Sequence, residues 1–469
     1  MKCRSGGTGR RTGLKILRDL YSRTGSIPVC GIKKESKGFE ISKLYSLFVF
    51  AGKYISNILQ LNLVESLGKL CYTITNLILG GLDMKDVTIT DSILYVGVDD
   101  KTLDLFESQY IIPNGVSYNS YLILDEKVTV MDTVDARATD EWLSNLETAL
   151  AGRNVDYLVV SHMEPDHAAN IKNLIDRYPN IQVVGNAKTF AMIPQFFDVD
   201  ISGRSVVVKE GDTLCLGKHT LQFFMAPMVH WPEVMVAYEQ TEKILFSADG
   251  FGKFGALDTD EAWTCEARRY YFNIVGKYGA QVQALLKKAA TLDIQMICPL
   301  HGPILKEDLG YYIGKYDIWS KYEPEDEGVF IAYASIHGNT AKAAKKLAEM
   351  LAEKGAKRVA IADLTRDDMA EAVEDAFRHS KLVVASSTYD GGLFPCMEDF
   401  LSHLKAKNYQ KRTVAMMENG SWAPVAAKKM REYFEGMKEI TLCEPVVTIK
   451  STMKDETAKV MEELAEHLV

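Results

Sequence analysis

A chain of 469 residues exceeds one ordinary hydrophobic core, so its length alone implies two or three domains. Hydrophobic residues make up 47% and charged residues 25%, with no low-complexity tract or short internal repeat, which excludes solenoids, coiled coils and long disorder. The net charge of -9 is unevenly spread: residues 1–83 carry 13 Lys and Arg against 5 Asp and Glu, a balance of +8, leaving 41 against 58, or -17, for the rest. An acidic body repels phosphate backbones and excludes nucleic acid as the expected partner.

The eight cysteines, Cys3, Cys30, Cys71, Cys215, Cys265, Cys298, Cys396 and Cys443, form no CxxC pair and no tight cluster. That spacing excludes a zinc ribbon, an iron–sulfur site and a built-in rubredoxin. With no cleavable signal peptide, buried free thiols in a reducing cytoplasm are expected.

Residues 1–83 differ in character from the rest of the chain. Arg4–Val29 is basic, rich in Gly and Ser and without a sustained period, and it resembles the conceptual translation of a transfer-RNA gene. The expectation is a start-site artefact with Met84 as the true start; a membrane anchor or a genuine extension are the alternatives. The apolar runs Leu44–Leu61 and Leu70–Leu82 fall short of the roughly 20 uninterrupted apolar residues of a membrane span.

From Met84 the runs Thr88–Val98, Tyr121–Leu124, Val128–Asp132 and Val155–Ser161 read as strands, and Asp140–Ala151 has helical spacing. Strands are expected again at Val206–Lys209, Leu221–Met225, Ile244–Ser247 and Gln295–Pro299, with one long amphipathic helix over Glu261–Leu286. Strands in meander with helices outside predict layered sheets covered by helices over residues 84–323. The charged stretch Tyr322–Gly328 reads as a linker. Residues 327–469 then alternate strictly: strands at Val329–Ala334, Val359–Asp363, Lys381–Ser386, Arg412–Met417 and Glu444–Ile449, helices at Thr340–Lys354, Asp368–Phe377, Glu398–Leu404 and Val425–Met437. That is the pattern of a doubly wound α/β sheet with about five parallel strands.

The sharpest local signal is Ser161–Ala168, where His162, Glu164, Asp166 and His167 occupy one turn-forming segment after a hydrophobic strand. Pro165 stiffens a loop that brings four metal-competent side chains together without a helix. His230, Asp249 and His301 each follow a later strand. Singly each is an ordinary hydrogen-bonding residue; together with the first four they make seven ligands, enough for two metals bridged by a carboxylate.

This strand-then-loop series resembles the metallo-β-lactamase superfamily, with Glu164 standing where its hydrolases usually carry a second histidine. The HxExDH form, followed by His230, Asp249 and His301, resembles the flavodiiron proteins over essentially residues 84–469. A carboxylate in place of an imidazole hardens the site and adds negative charge, which favours iron over zinc. The resemblance implies an αββα sandwich holding one iron through His162, Glu164 and His230 and another through Asp166, His167 and His301, with Asp249 bridging. It leaves open whether His167 ligates, because some family members use water there.

In the second half, the first strand runs into Ser335–Thr340 and a helix follows at once, so Ser335, His337, Gly338, Asn339 and Thr340 form a cradle for one phosphate. The loop lacks both GxxxxGK[ST] and GxGxxG, which disfavours nucleoside triphosphates and dinucleotides; a helix cap without ligand is the competing reading. Two further loops converge on the same sheet edge, one with Thr388, Tyr389, Asp390 and Gly391, the other with Gly420, Ser421, Trp422 and Ala423. Their glycines admit a flat ring on which Tyr389 or Trp422 could stack; a core position for Trp422 is the lesser alternative. The trio resembles flavodoxin and implies FMN, with His337 replacing the usual threonine.

The resemblance implies an oxidoreductase that passes electrons from a separate rubredoxin-like donor through FMN to a diiron centre, reducing dioxygen to water or nitric oxide to nitrous oxide. It also implies a head-to-tail homodimer or dimer of dimers. A binuclear zinc hydrolase fused to a flavin domain, and an electron carrier or gas sensor without catalysis, are the rival expectations.

Overall fold

The computed structural model describes residues 87–469, so the expectations for residues 1–83 lie outside the described residues. No helix among the described residues is long and apolar enough to cross a membrane.

Two sheets form the first half. One has six strands in the order Ile93–Tyr95, Tyr121–Ile123, Thr129–Met131, Tyr157–Val159, Gln182–Gly185 and Ser205–Val207. The other has five, Thr213–Cys215, Thr220–Met225, Met235–Glu239, Ile244–Phe246 and Met296–Cys298. Both mix antiparallel with parallel pairs, so the expected meander is only partial: Thr129–Met131 pairs in parallel with Tyr157–Val159, and Ile244–Phe246 with Met296–Cys298. The sheets meet face to face, with the Tyr121 and Phe246 rings 5.3 Å apart. Strand periodicity explains the layering. In Thr220–Met225, Leu221 and Phe223 are fully buried while the residues between them are half-buried. Outer helices close the sandwich, Thr139–Leu150 burying Trp142, Leu146 and Leu150 and Gly279–Ala289 burying Val282. This is the αββα arrangement expected.

Three sequence expectations need correction. Pro165 does not stiffen an irregular loop: it opens a single helical turn, Pro165–Ala168, capped by Glu164, where its missing N–H costs no bond. The expected helix over Glu261–Leu286 is instead Trp263–Tyr270, a π-helical turn Tyr271–Val275, a short 3₁₀ turn Gly276–Tyr278 and a new helix Gly279–Ala289. A π-turn rotates side chains relative to a regular helix; here it allows Phe272 to stack on Phe377 of the second half, 4.3 Å between centroids. Nor is Tyr322–Gly328 a solvated linker, because the strand Asp326–Ala334 begins inside it and Tyr322 and Glu325 are engaged in the interior.

In the second half five parallel strands run in the order Val359–Asp363, Asp326–Ala334, His379–Tyr389, Arg412–Asn419 and Ile440–Ile449, the 2-1-3-4-5 order of a flavodoxin-like sheet. Helices cover both faces, which is why the first strand is apolar on both sides. Val329 and Ile331 pack with Leu347 and Leu351 on one face, while Phe330 and Ala332 join the core on the other.

Buried charge joins the halves. Arg268, 1% exposed, bonds Glu325 twice at 2.8 Å and also bonds Glu374, which lies on the helix Met369–Arg378. The neighbouring Arg269 bonds Glu266, Asp368 and the Ile111 carbonyl. Burial alone would push the Glu325 carboxyl up, but Arg268 prevails and holds it down at about 2. Removing one partner from such a network leaves buried charges uncompensated, so Arg268→Ala should cost about 3–5 kcal/mol. Chemical denaturation checks this; an unchanged unfolding midpoint would show that the network contributes nothing to joining the halves.

Candidate functional site

The seven sequence-selected ligands come together. The strand Tyr157–Val159 delivers His162 and Glu164, and the short helical turn after it carries Asp166 and His167. His230 follows Thr220–Met225, Asp249 follows Ile244–Phe246, and His301 follows Met296–Cys298. His162, His167, Asp249 and His301 are at most 1% exposed, and Asp166 and His230 8%.

Their atoms fall into two groups, His162, Glu164, His230 and Asp249 in one and Asp166, His167 and His301 in the other. In the first, Glu164 Oε2 lies 3.1 Å from His162 Nε2 and 3.0 Å from His230 Nε2, and Asp249 Oδ2 lies 3.3 Å from both. In the second, Asp166 Oδ2 lies 3.3 Å from His167 Nε2 and 3.2 Å from His301 Nε2, whose two Nε2 atoms are 3.1 Å apart. Asp249 Oδ1 faces this second group, 3.2 Å from His167 and 3.7 Å from His301. One carboxylate thus offers one oxygen to each group.

These spacings suit a pair of metal ions. Two donor atoms bound at about 2.1 Å and at right angles lie about 3.0 Å apart. Both carboxylate oxygens of Asp166 and of Asp249 are buried without a hydrogen bond, so their lone pairs are free for a cation. The second nitrogens of two imidazoles are committed elsewhere: His162 Nδ1 lies 2.8 Å from Glu233 Oε1, and His301 Nδ1 lies 2.7 Å from the Ser117 carbonyl. A proton held on each Nδ1 leaves Nε2 as a lone-pair donor aimed at the metals. His167 lacks such an anchor, its Nδ1 being buried without a partner, although its Nε2 joins the second group.

Sequence reasoning missed Glu233 and Asp132. Glu233 is fully buried and takes both His162 Nδ1 and the Met163 N–H, 2.9 Å away; its only sequence signal is an acid three residues after His230. Asp132 accepts the Ser161 N–H at 2.6 Å and pins the start of the ligand loop, while burial pushes its carboxyl up to about 6.

Without metal the site holds protons instead. Burial would lower the His230 imidazole, but the Asp249 and Glu164 carboxylates beside it outweigh that and raise it to about 9. The same neutralisation keeps Asp249 well below the usual carboxylate range, burial being opposed by the neighbouring imidazoles of His162, His167 and His230.

The three expected phosphate and ring loops sit at the C-terminal ends of three adjacent strands. Gly338, at a φ of +87° that a side chain would strain, turns the chain into the helix Asn339–Glu353. Ser335 Oγ accepts the Gly338 N–H at 3.1 Å, and Asn339 and Thr340 start the helix, where N–H groups have no carbonyl one turn back. The Thr340 and Ser387 hydroxyls are 3.0 Å apart, and Thr388 Oγ1 accepts the N–H groups of Val425 and Ala426, so hydroxyls tie all three loops together. His337, Tyr389, Asp390, Gly391, Ser421, Trp422 and Ala423 face solvent on the rim, and Gly420 bonds the Ile449 carbonyl behind it. Trp422 is 92% exposed, which excludes a core role; it and the 44%-exposed Tyr389 offer apolar faces that a flat ring would cover. The cradle fits a monophosphate bearing an aromatic ring.

The five described cysteines form no disulfide, and of these only Cys298 is fully buried; Cys215 is exposed, a departure from the expected buried thiols.

Residues 116–302 match the ODP family of beta lactamases, and residues 330–445 match a flavodoxin domain. The rubredoxin-oxygen oxidoreductase of Megalodesulfovibrio gigas is 30% identical over 368 residues, covering 76% of this chain and 90% of that one. The nitric oxide reductase of Moorella thermoacetica is 28% identical over 374 residues, covering 78% and 93%. Among solved structures, the flavodiiron protein from Giardia intestinalis superposes with a TM-score of 0.75 at 25% identity, covering 81% of this chain and 96% of that one.

A histidine must be neutral to bind a metal, so uptake below pH 9 must displace the proton that His230 carries. Ferrous-ion affinity of the apoprotein should rise about tenfold per pH unit for each proton displaced, from neutrality until the imidazole titrates. Titration against a pH indicator measures the release; pH-independent uptake would contradict a protonated His230 among the ligands.

Proposed function

The chain belongs to the flavodiiron protein family, and from that premise we propose that it reduces dioxygen to water, nitric oxide to nitrous oxide, or both, with electrons entering through FMN. The reading rests on one observation above the others, the two oxygens of Asp249 turned toward two separate ligand groups. In this reading His162, Glu164 and His230 would hold one iron, Asp166, His167 and His301 the second, and Asp249 would offer one oxygen to each. Glu233 and the Ser117 carbonyl orient His162 and His301. When bound, the iron pair would supply a redox-capable site for a small diatomic and the flavin a one-electron carrier.

The chain's own residues set the conditions for that chemistry. Three carboxylates in the two groups offset most of the charge of two divalent cations, so the filled site stays close to neutral in a buried setting. The Phe106 and Tyr270 rings pack 5.4 and 5.6 Å from His301, and Trp231 packs 5.2 Å from His162, which restricts water around the ligands. On the other module, Ser335, His337, Gly338, Asn339 and Thr340 are assigned to the FMN phosphate, and Thr388 to Gly391 with Gly420 to Ala423 to the ring.

A separate rubredoxin-like protein as donor completes the proposal; these 469 residues hold no CxxC pair, and the relative from Megalodesulfovibrio gigas carries rubredoxin in its name. So does assembly into a head-to-tail homodimer or dimer of dimers in the cytoplasm, where free thiols persist.

Iron-loaded, FMN-replete protein reduced anaerobically through a rubredoxin system should consume dioxygen, nitric oxide or both at about 1–1000 per second. A preparation that binds zinc alone and turns over esters or lactams would contradict the proposal, and so would a reducible flavin with no gas consumption.

A further inference from the structure

One side chain outside the ligand set holds the turn that carries His301 from both ends. Asn119, fully buried, follows the short strand Val116–Tyr118. Its Nδ2 donates to the Pro299 carbonyl and to the Gly302 carbonyl, each at 2.8 Å, and its backbone N–H donates to the Leu300 carbonyl, also at 2.8 Å. Three carbonyls flanking His301 thus converge on one residue. The amide faces them in only one orientation, because a carbonyl accepts and cannot donate. Tyr95 Oη fixes that orientation from behind by donating to Asn119 Oδ1 at 3.0 Å. These four bonds serve the His301 turn and Tyr95 alone. Two residues earlier, Ser117 Oγ accepts the Gly302 N–H at 2.7 Å, next to the Ser117 carbonyl that meets His301 Nδ1. On its far side the turn touches the one that carries Asp249, the Leu300 N–H donating to the Ala248 carbonyl at 2.9 Å.

A ligand must be held within about 0.5 Å and 10–20° of its working geometry to bind a metal well. Anchoring Pro299 and Gly302 to one rigid amide stops the backbone between them from shifting or rotating, and the Ser117 carbonyl then settles which imidazole nitrogen faces the metal. We infer that Asn119 is the positioning residue of the second ligand group: it fixes the aim of His301 Nε2, and through it the metal affinity of Asp166, His167 and His301 in particular. The group of His162, Glu164 and His230 feels it only through Asp249. The inference rests on the two-iron reading of the site. Replacing Asn119 with alanine takes a donor from the Gly302 carbonyl, while Tyr121 Oη still donates to the Pro299 carbonyl and the backbone N–H still holds Leu300. The turn keeps its course and loosens on one side of His301.

Iron binding in two single-site backgrounds tests this. Full-length, FMN-replete protein is stripped of metal and titrated with ferrous iron against a competing chelator. In a Glu164→Ala background, where the second group binds the better, adding Asn119→Ala should weaken the remaining iron about 10–100-fold, the usual cost of losing a partner that orients a metal ligand. In a His301→Ala background, which leaves only the first group intact, the same substitution should change affinity less than about twofold, since the two residues act through one path. Tyr95→Phe, which keeps the ring and deletes one hydroxyl, should show the same selectivity at about two- to tenfold, the worth of one hydrogen bond, and decides the matter if Asn119→Ala fails to fold. Equal weakening in both backgrounds would mark Asn119 as a general support of the fold and overturn the inference, and so would undiminished affinity in the Glu164→Ala background. Occupancy is the readout, so a parent protein that loads two irons and consumes neither gas would refute the proposed activity while the titrations still decide the role of Asn119.

Discussion

Buried carboxylates repel one another, and the whole first half is organised around making such a concentration tolerable. Glu164, Asp166 and Asp249 meet four imidazoles in a setting almost closed to water, with Asp249 wholly buried and without a hydrogen bond on either oxygen. A lone ionised carboxylate in that setting is heavily penalised unless a cation joins it. Protonated histidines provide the positive charge when metal is absent, and two metal ions provide it otherwise. Folding and metal loading are therefore linked through the same few atoms, and the outlying supports, Glu233, Asp132 and the Ser117 carbonyl, aim those atoms in advance.

The sandwich explains how residues scattered from position 162 to position 301 reach one place. Each ligand follows a strand whose C-terminal end opens onto the same rim, so the sheet sets the position and short loops set the direction. The turn Pro165–Ala168 adds helical precision where four ligands come from six consecutive residues. The second half uses the same economy. Its three loops proposed to hold FMN follow three adjacent parallel strands and are laced together by Thr340, Ser387 and Thr388 hydroxyls. Between the halves, Arg268 and the stacked Phe272 and Phe377 join one module to the next with groups that are themselves buried.

Much of this was legible in the residue string because its determinants are local. His162, Glu164, Asp166 and His167 declare themselves by spacing, and the expected strands Val329–Ala334 and Val359–Asp363 by their apolar runs. What could not be read depends on partners distant along the chain. Glu233 matters only because folding lays it against His162, 71 positions earlier. The break after Tyr270 arises from packing against the second half, which helical periodicity cannot register. Glu325 looked like a linker charge because its partner, Arg268, stands 57 residues away, and Trp422 was ambiguous because an aromatic residue has one name whether it faces a core or a cofactor.

The central claim is that Asp249 joins two irons into one unit, and Mössbauer spectroscopy of protein reconstituted with iron-57 tests it most directly. The account predicts two irons per chain behaving as a magnetically coupled pair, with coupling lost in Asp249→Ala. A single iron per chain, two isolated ions in the parent protein, or coupling that survives the substitution would contradict it.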